Sequence, residues 1–196
     1  MKARHEVGWA RLLRHGCWRA FDATLRAVPT PFLRAALLRA GGAGIGPDTL
    51  IMPGLRLENL DRHRGAAALS IGRDCWLGYD VHLDLAADVA IGDRVSVGSR
   101  TMFVTHLNVG YADHPLQGRF PRETEGIEIG PGSFVAAGAI LLPGTRLGPE
   151  TFVAAGAVVR GGHPGRELLG GSPARRLRSW DGIAAPTPVA RRSTAP

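Results

Sequence analysis

Apolar residues recur every six positions through most of this chain: Ile45, Ile51 and Leu57; Ile71, Leu77 and Leu83; Ile91, Val97 and Phe103; then Ile129, Val135, Leu141, Leu147, Val153 and Val159. Gly or Ala commonly follows the apolar residue, as at Gly46, Gly72, Gly98, Gly130 and Ala154. A small or medium residue often stands four positions after it, as at Thr49, Val95, Thr101, Ser133 and Ala157. Neither the helical repeat of about 3.6 residues nor plain strand alternation gives this period. It describes short strands separated by sharp turns, each strand sending one large residue inward, with glycine expected to permit the turn. Three hexads make one triangular coil, and three lead-ins mark the same corner: LSIG at 69–72, VAIG at 89–92 and IEIG at 127–130. Such coils bury their faces only by stacking under caps, so the pattern predicts a β-solenoid of about five coils over residues 45–178.

Residues 1–44 follow a helical period instead. Trp9, Leu12, Leu13, Cys17, Phe21, Leu25 and Val28 predict one amphipathic helix with arginines on its other face. Thr30 and Pro31 predict the cap and first residue of a second helix through Leu33, Leu37 and Leu38, stopped by Gly41-Gly42. Beyond Val159 the hexads fade; GGSPARRLRSW at 170–180 reads as a turn plus a short capping element, and residues 179–196 as a loose C-terminal tail.

The rhythm breaks once in the interior. Ile91 and Ile129 stand 38 residues apart, a coil plus an excursion of about twenty residues, 107–126 (LNVGYADHPLQGRFPRETEG), which is polar and has no period of its own. Long loops leaving compact scaffolds are usually functional or disordered. This one leaves a rigid coil directly after His106, which predicts a site at its base.

Composition narrows the classes. The 27 glycines and 6% aromatic content fit tight turns around small interior side chains. Cys17 and Cys75 are the only cysteines, so no disulfide framework is required and a reducing compartment is the expectation. The net charge is +7, and residues 1–44 hold eight Lys and Arg against Glu6 and Asp22. Basic surfaces attract phosphates, acidic membranes or anionic cofactors. No recognition motif or interleaved aromatic-basic stretch points to nucleic acid. No run approaches the ~18 apolar residues of a membrane span, and arginines interrupt any secretory core. A cytoplasmic protein is expected, its basic helical hairpin packed on the rest of the protein or a neighbouring subunit, or resting on a membrane surface.

Six stretches together resemble one family: IGDRVSVG at 91–98, the Thr105-His106 step, the extended loop, IEIGPGSFVAAGAILLPGTRLG at 127–148, FVAAGAVV at 152–159 and GGSPARRLR at 170–178. The chain resembles the hexapeptide-repeat acyltransferases, nearest in look to the maltose, galactoside and nodulation-factor O-acetyltransferases and to small acyltransferases of polysaccharide and natural-product pathways. The resemblance implies an all-β, left-handed parallel β-helix with an N-terminal α-helical segment and a short C-terminal cap. The handedness comes wholly from the family, since parallel crossovers are otherwise nearly always right-handed. It also implies a homotrimer with active sites between subunits, acetyl-CoA or another acyl-CoA as co-substrate, no metal, and a small-molecule acceptor.

His106 occupies the position of the family's general base, which takes a proton from the acceptor hydroxyl as it attacks the thioester; no acyl-enzyme is required. Asp84, 22 residues earlier, is expected near it on the adjacent coil, where the family often carries an Asn or Asp that orients the acceptor or the base; it is assigned with His114 to acceptor binding. Ala137 and Ala155 match positions beside the pantetheine arm, Phe134 stands where relatives often have tryptophan, and Arg175 and Arg178 stand where relatives place basic residues near the CoA phosphates. One departure is Arg160-Gly161-Gly162, where the family usually shows Thr-Lys-Asp. Other readings are an N-acyltransferase of amino sugars or antibiotic-like amines, a non-catalytic hexapeptide scaffold, and a γ-class carbonic anhydrase. The last needs three zinc-binding histidines, and the spacing of His82, His106 and His114 does not match that family.

Overall fold

The computed structural model describes residues 9–61, 64–110 and 113–182, with the backbone alone at 10–12 and at Arg14. Residues 1–8 and 183–196, the bulk of the expected tail, lie outside the described residues. Two helices, α1 (Trp9–Ala27) and α2 (Pro31–Ala40), precede the strands. The first coil is β1 (Gly44–Ile45), β2 (Leu50–Ile51) and β3 (Arg56–Glu58); the second is β4 (Leu69–Ile71), β5 (Trp76–Leu77) and β6 (His82–Asp84). The third is β7 (Val89–Ile91), β8 (Ser96–Val97) and β9 (Met102–Phe103), followed by a hairpin, β10 (His106–Leu107) with β11 (Glu123–Thr124). The fourth is β12 (Ile127–Ile129), β13 (Phe134–Val135) and β14 (Ile140–Leu141); the fifth is β15 (Arg146–Leu147), β16 (Phe152–Val153) and β17 (Val158–Val159). A partial sixth coil, β18 (Gly162–His163) and β19 (Glu167–Gly171), ends in β20 (Ala174–Ser179), antiparallel to β19.

Successive coils pair in parallel and build three sheets around one apolar column. Every hexad residue named above is buried, from Ile45 at one end to Val159 at the other. The residue four positions on is buried as well, and its hydroxyl, where it has one, serves the corner: Thr101 Oγ1 donates to Gly98 O at 2.7 Å and Thr151 Oγ1 to Gly148 O at 2.8 Å. These bonds satisfy carbonyls that the sharp corner removes from the strand ladder.

The glycine after the hexad residue has a different cause from the one expected. Gly98 does not adopt positive φ; a Cβ there would stand 2.4 Å from the Ala137 nitrogen of the next coil. Stacking distance demands that glycine. The left-handed corner conformation falls two residues later, at Asp80, Arg100 and Glu150 among others.

The helices close the first coil. Leu25, Ala35 and Leu38 join the buried column, and Trp18 and Phe21 pack against it with rings edge to face at 5.5 Å. Arginines of α2 take up carbonyls that no preceding coil can pair: Arg39 donates to Ile45 O and Gly46 O, both at 2.8 Å, and the buried Arg34 donates to Ile51 O and to Pro29 O. Only the C-terminal half of the expected stripe of α1 is covered: Phe21 and Leu25, joined by Trp18, pack on the first coil, while Trp9, Leu13 and Cys17 on its N-terminal half are exposed. At the other end the hexads do not stop at Val159. Leu147 pairs with His163 and Val153 with Leu169, sixteen residues on, so a shortened corner carries the stack past the point where the period is lost.

Candidate active site

Each coil has one corner between the third sheet and the first, and polar chemistry collects at that corner in three successive coils. In the first coil the chain leaves β3 through Asn59 in the left-handed region, φ +57°. In the second it leaves β6 through Asp84, and in the third it passes Thr105 and His106 before the loop. Stacking then brings residues 22 and 25 apart in sequence into hydrogen-bond contact.

Asp84 is the hub. Its Oδ2 accepts from Thr105 N (2.9 Å), Thr105 Oγ1 (3.0 Å) and His106 N (3.1 Å), and meets His106 Nδ1 at 2.6 Å. Its Oδ1 accepts from Asn59 Nδ2 at 2.6 Å and Ala86 N at 3.1 Å. The residue is 3% exposed. Burial by itself would raise the carboxyl pKa, but the hydrogen bonds from His106, Asn59 and Ala86 outweigh it and leave it below the usual carboxylate value. An ionised carboxylate only accepts, so Nδ1 of His106 carries a proton, and in the neutral ring the lone pair is on Nε2. The His106 side chain is 28% exposed, which leaves that lone pair reachable.

Of the two roles the resemblance implies for Asp84, orienting the acceptor or the base, its contacts fit the second: its oxygens are filled by protein donors, the imidazole among them, rather than left open toward an acceptor. His114 lies in the loop, where Nδ1 accepts from Leu116 N at 3.1 Å in a local turn; no hydrogen bond or ion pair joins it to Asp84 or His106 among the described residues. His82 pairs with Glu58 at 3.4 Å. Among the described residues no group of three or more His, Cys, Asp or Glu is placed to hold a metal ion.

The candidate CoA residues form a second set. Ala137 and Ala155 are exposed at the corner between the second and third sheets, one coil apart. Phe134 stands half-open on the outer face of the second sheet against Phe152, ring centres 4.9 Å apart. Arg175 and Arg178 are exposed on β20, which extends that sheet. Small side chains, an aromatic pair and exposed guanidiniums, of which that of Arg175 donates to Ala174 O at 2.9 Å, suit a thin pantetheine arm, a flat base and phosphates. Within one chain, however, these residues and His106 occupy different edges of the prism, with the third sheet between them. Arg160, where the family differs, pairs with Glu123 and ties the loop hairpin back to the fifth coil.

Sequence reasoning missed Asn59. Asn59 opens the ten-residue connection 59–68 between β3 and β4, longer than the four-residue one between β6 and β7, and it stands two positions after its hexad residue where Asp84 stands one and His106 three after theirs. Fixed spacing could not find it.

Among known proteins no family model matches the chain. A curated relative, WcaF of Escherichia coli (strain K12), a putative colanic acid biosynthesis acetyltransferase, is 29% identical over 164 residues, 82% of this chain and 84% of WcaF. The hexapeptide-repeat acetyltransferase VCA0836 of Vibrio cholerae superposes with a TM-score of 0.75 at 22% identity, covering 88% of this chain and 94% of that one. The same protein has been solved with acetyl-CoA, TM-score 0.71 at 24% identity over 90% of each chain. A galactoside acetyltransferase in complex with coenzyme A gives 0.68 at 15% identity, covering 89% of this chain and 84% of that one. Homologues and structural neighbours are thus hexapeptide-repeat acetyltransferases, and the stacked sheets are the left-handed β-helix of that fold.

Proposed function

We propose that this hexapeptide-repeat β-helix protein is an acyl-CoA-dependent acetyltransferase that acylates a hydroxyl group of a sugar-containing acceptor. The observation that carries the reading is the buried Asp84 carboxylate on Nδ1 of the partly exposed His106 ring, which puts the lone pair of the neutral imidazole on Nε2 at the base of the long loop. Acetyl-CoA would supply the thioester carbonyl that the acceptor oxygen attacks. His106 Nε2 would take the hydroxyl proton during that attack and hand it to the departing thiolate, so the base is regenerated within one turnover. Asp84 fixes the tautomer and steadies the imidazolium while it exists.

Ala137, Ala155, Phe134, Arg175 and Arg178 are the residues of this chain suited to bind the acyl-CoA. They and His106 lie on different edges of one prism, which supports a homotrimer whose sites form between neighbours. His114 and the loop would line the acceptor side. The acceptor class rests on the loop and the Thr105-His106 step, and on WcaF and the galactoside enzyme being named for work on carbohydrate. A glycan held at a membrane fits the helical segment: Trp9 and Leu13 on α1 and Phe32 and Leu33 on α2 are exposed beside a surplus of arginine. Among the described residues no helix is long and apolar enough to cross a bilayer.

The test is release of free thiol from acetyl-CoA by wild type and His106→Ala against sugars, glycosides and amino sugars. Turnover on hydroxyl acceptors, lost in the variant while acetyl-CoA still binds, is expected. Preference for amine acceptors would replace O-acylation by N-acylation, and equal rates for both proteins would remove His106 from the chemistry.

A further inference from the structure

Asp84 has two oxygens, and the catalytic imidazole uses one of them. The other is held by Asn59, from the first coil, through the shorter of its two contacts, 2.6 Å against 3.1 Å from Ala86 N. Asn59 reaches it from a left-handed backbone, φ +57°, a conformation asparagine adopts more readily than most residues. We propose that Asn59 is a positioning residue for the base, the outer member of an Asn59–Asp84–His106 relay that sets how strongly Asp84 holds the His106 imidazole. This inference rests on the reading of His106 as general base.

The chemistry is local. A hydrogen bond to Oδ1 draws negative charge away from Oδ2, the oxygen at Nδ1. Without it, Asp84 carries more uncompensated charge and favours the imidazolium, so the base is taken out of service at a higher pH. Other charged groups surround the relay without replacing Asn59. Glu58 of β3 and His82 of β6 pair with each other at 3.4 Å. Glu123, across the β10–β11 ladder from Leu107, is taken by Arg160. The backbone N–H of Glu125 donates to Thr105 O at 2.9 Å, and its carboxylate lies against Gly144. Arg19, Arg26, Arg56, His15, Asp22 and Asp61 line the cavity of about 440 Å³ between α1 and the first coil onto which Asn59 also opens.

Three proteins decide the matter. Asn59→Ala removes the amide and strains the backbone; Asn59→Gly removes the amide and keeps positive φ accessible. Both are compared with wild type in the pH profile of kcat/KM and, without substrate, in the NMR titration of the His106 ring. We expect the acid limb and the ring titration to move to higher pH by about half a unit to one unit in both variants, with rates converging on wild type above the limb. A uniform loss of rate with an unmoved limb and an unmoved ring titration would overturn the proposal, as would an Asn59→Gly protein that fails to fold. His106→Ala keeps the two readings apart. Full activity in that variant would sink the base assignment itself. An inactive His106→Ala alongside unshifted Asn59 variants would sink only the relay.

Discussion

Asp84 holds its charge because its neighbours present donors: the backbone N–H groups of Ala86, Thr105 and His106, which can do nothing else, and the Nδ2 of Asn59. Asp84→Asn replaces one oxygen by an NH2 that must face a donor, or else turn Nδ1 into an acceptor and place the proton on Nε2. We expect kcat to fall by about 10²–10⁴-fold, with KM for acetyl-CoA little changed; an Asn variant within threefold of wild type would show that the carboxylate is dispensable. The same carboxylate links stability to pH. Its pKa is lowered in the folded chain from an ordinary value of 3.8, so it contributes stability that is complete above that value and is lost as pH falls through the folded one. Urea midpoints of wild type should therefore fall more steeply below about pH 4 than those of Asp84→Asn, which starts lower at neutral pH and has less to lose. Parallel acid limbs would mean that other carboxylates carry the effect.

The elements were legible in proportion to how repetitive they are. Fifteen hexad residues announce the column because each makes the same steric demand, one large side chain per strand. The partial sixth coil was hidden because its spacing drops to sixteen. On α1 the stripe was legible but the extent of its burial was not: Trp9, Leu13 and Cys17 continue the spacing of Phe21 and Leu25, yet they are exposed. His106 was readable from the break in period, and Asp84 from a spacing close to one coil. The contact that makes them a pair depends on insertions at the corners, which no fixed period encodes. The cap on the first coil was equally unreadable, because nothing in the sequence marks one arginine among many as buried. Arg34 is 1% exposed, and its guanidinium satisfies carbonyls of Ile51 and Pro29. Arg34→Ala should cost about 2–4 kcal/mol in denaturant unfolding, since those carbonyls lose their donor inside the cap. Arg26→Ala, which breaks an exposed pair with Asp22 one helical turn away, should cost no more than about 0.5 kcal/mol. Equal losses would mean that α2 is not anchored through Arg34.

For the molecule as a whole, the decisive feature is that one prism separates its proposed base from its candidate acyl-CoA residues. His106 stands at the edge after the third sheet; Ala137, Ala155, Phe134, Arg175 and Arg178 stand on and beside the second. A chain acting alone would have to carry an acyl group around a sheet. A rotationally symmetric assembly removes the difficulty, because a heterologous interface sets one edge of a chain against a different edge of its neighbour. Two variants disable the halves separately: His106→Ala removes the base, and Arg175→Ala/Arg178→Ala should raise KM for acetyl-CoA about tenfold or more. Each should still assemble at three times the 20.8 kDa chain mass. Co-expressed in equal amounts, they give mixed trimers in which about a quarter of the interfaces unite an intact base with intact arginines. Activity at limiting acetyl-CoA should reappear in that proportion and vanish when the two trimers are made separately and only mixed afterwards. Mixed trimers that stay inactive would place base and cofactor residues in the same chain, and the path around the third sheet would then have to be sought in the loop.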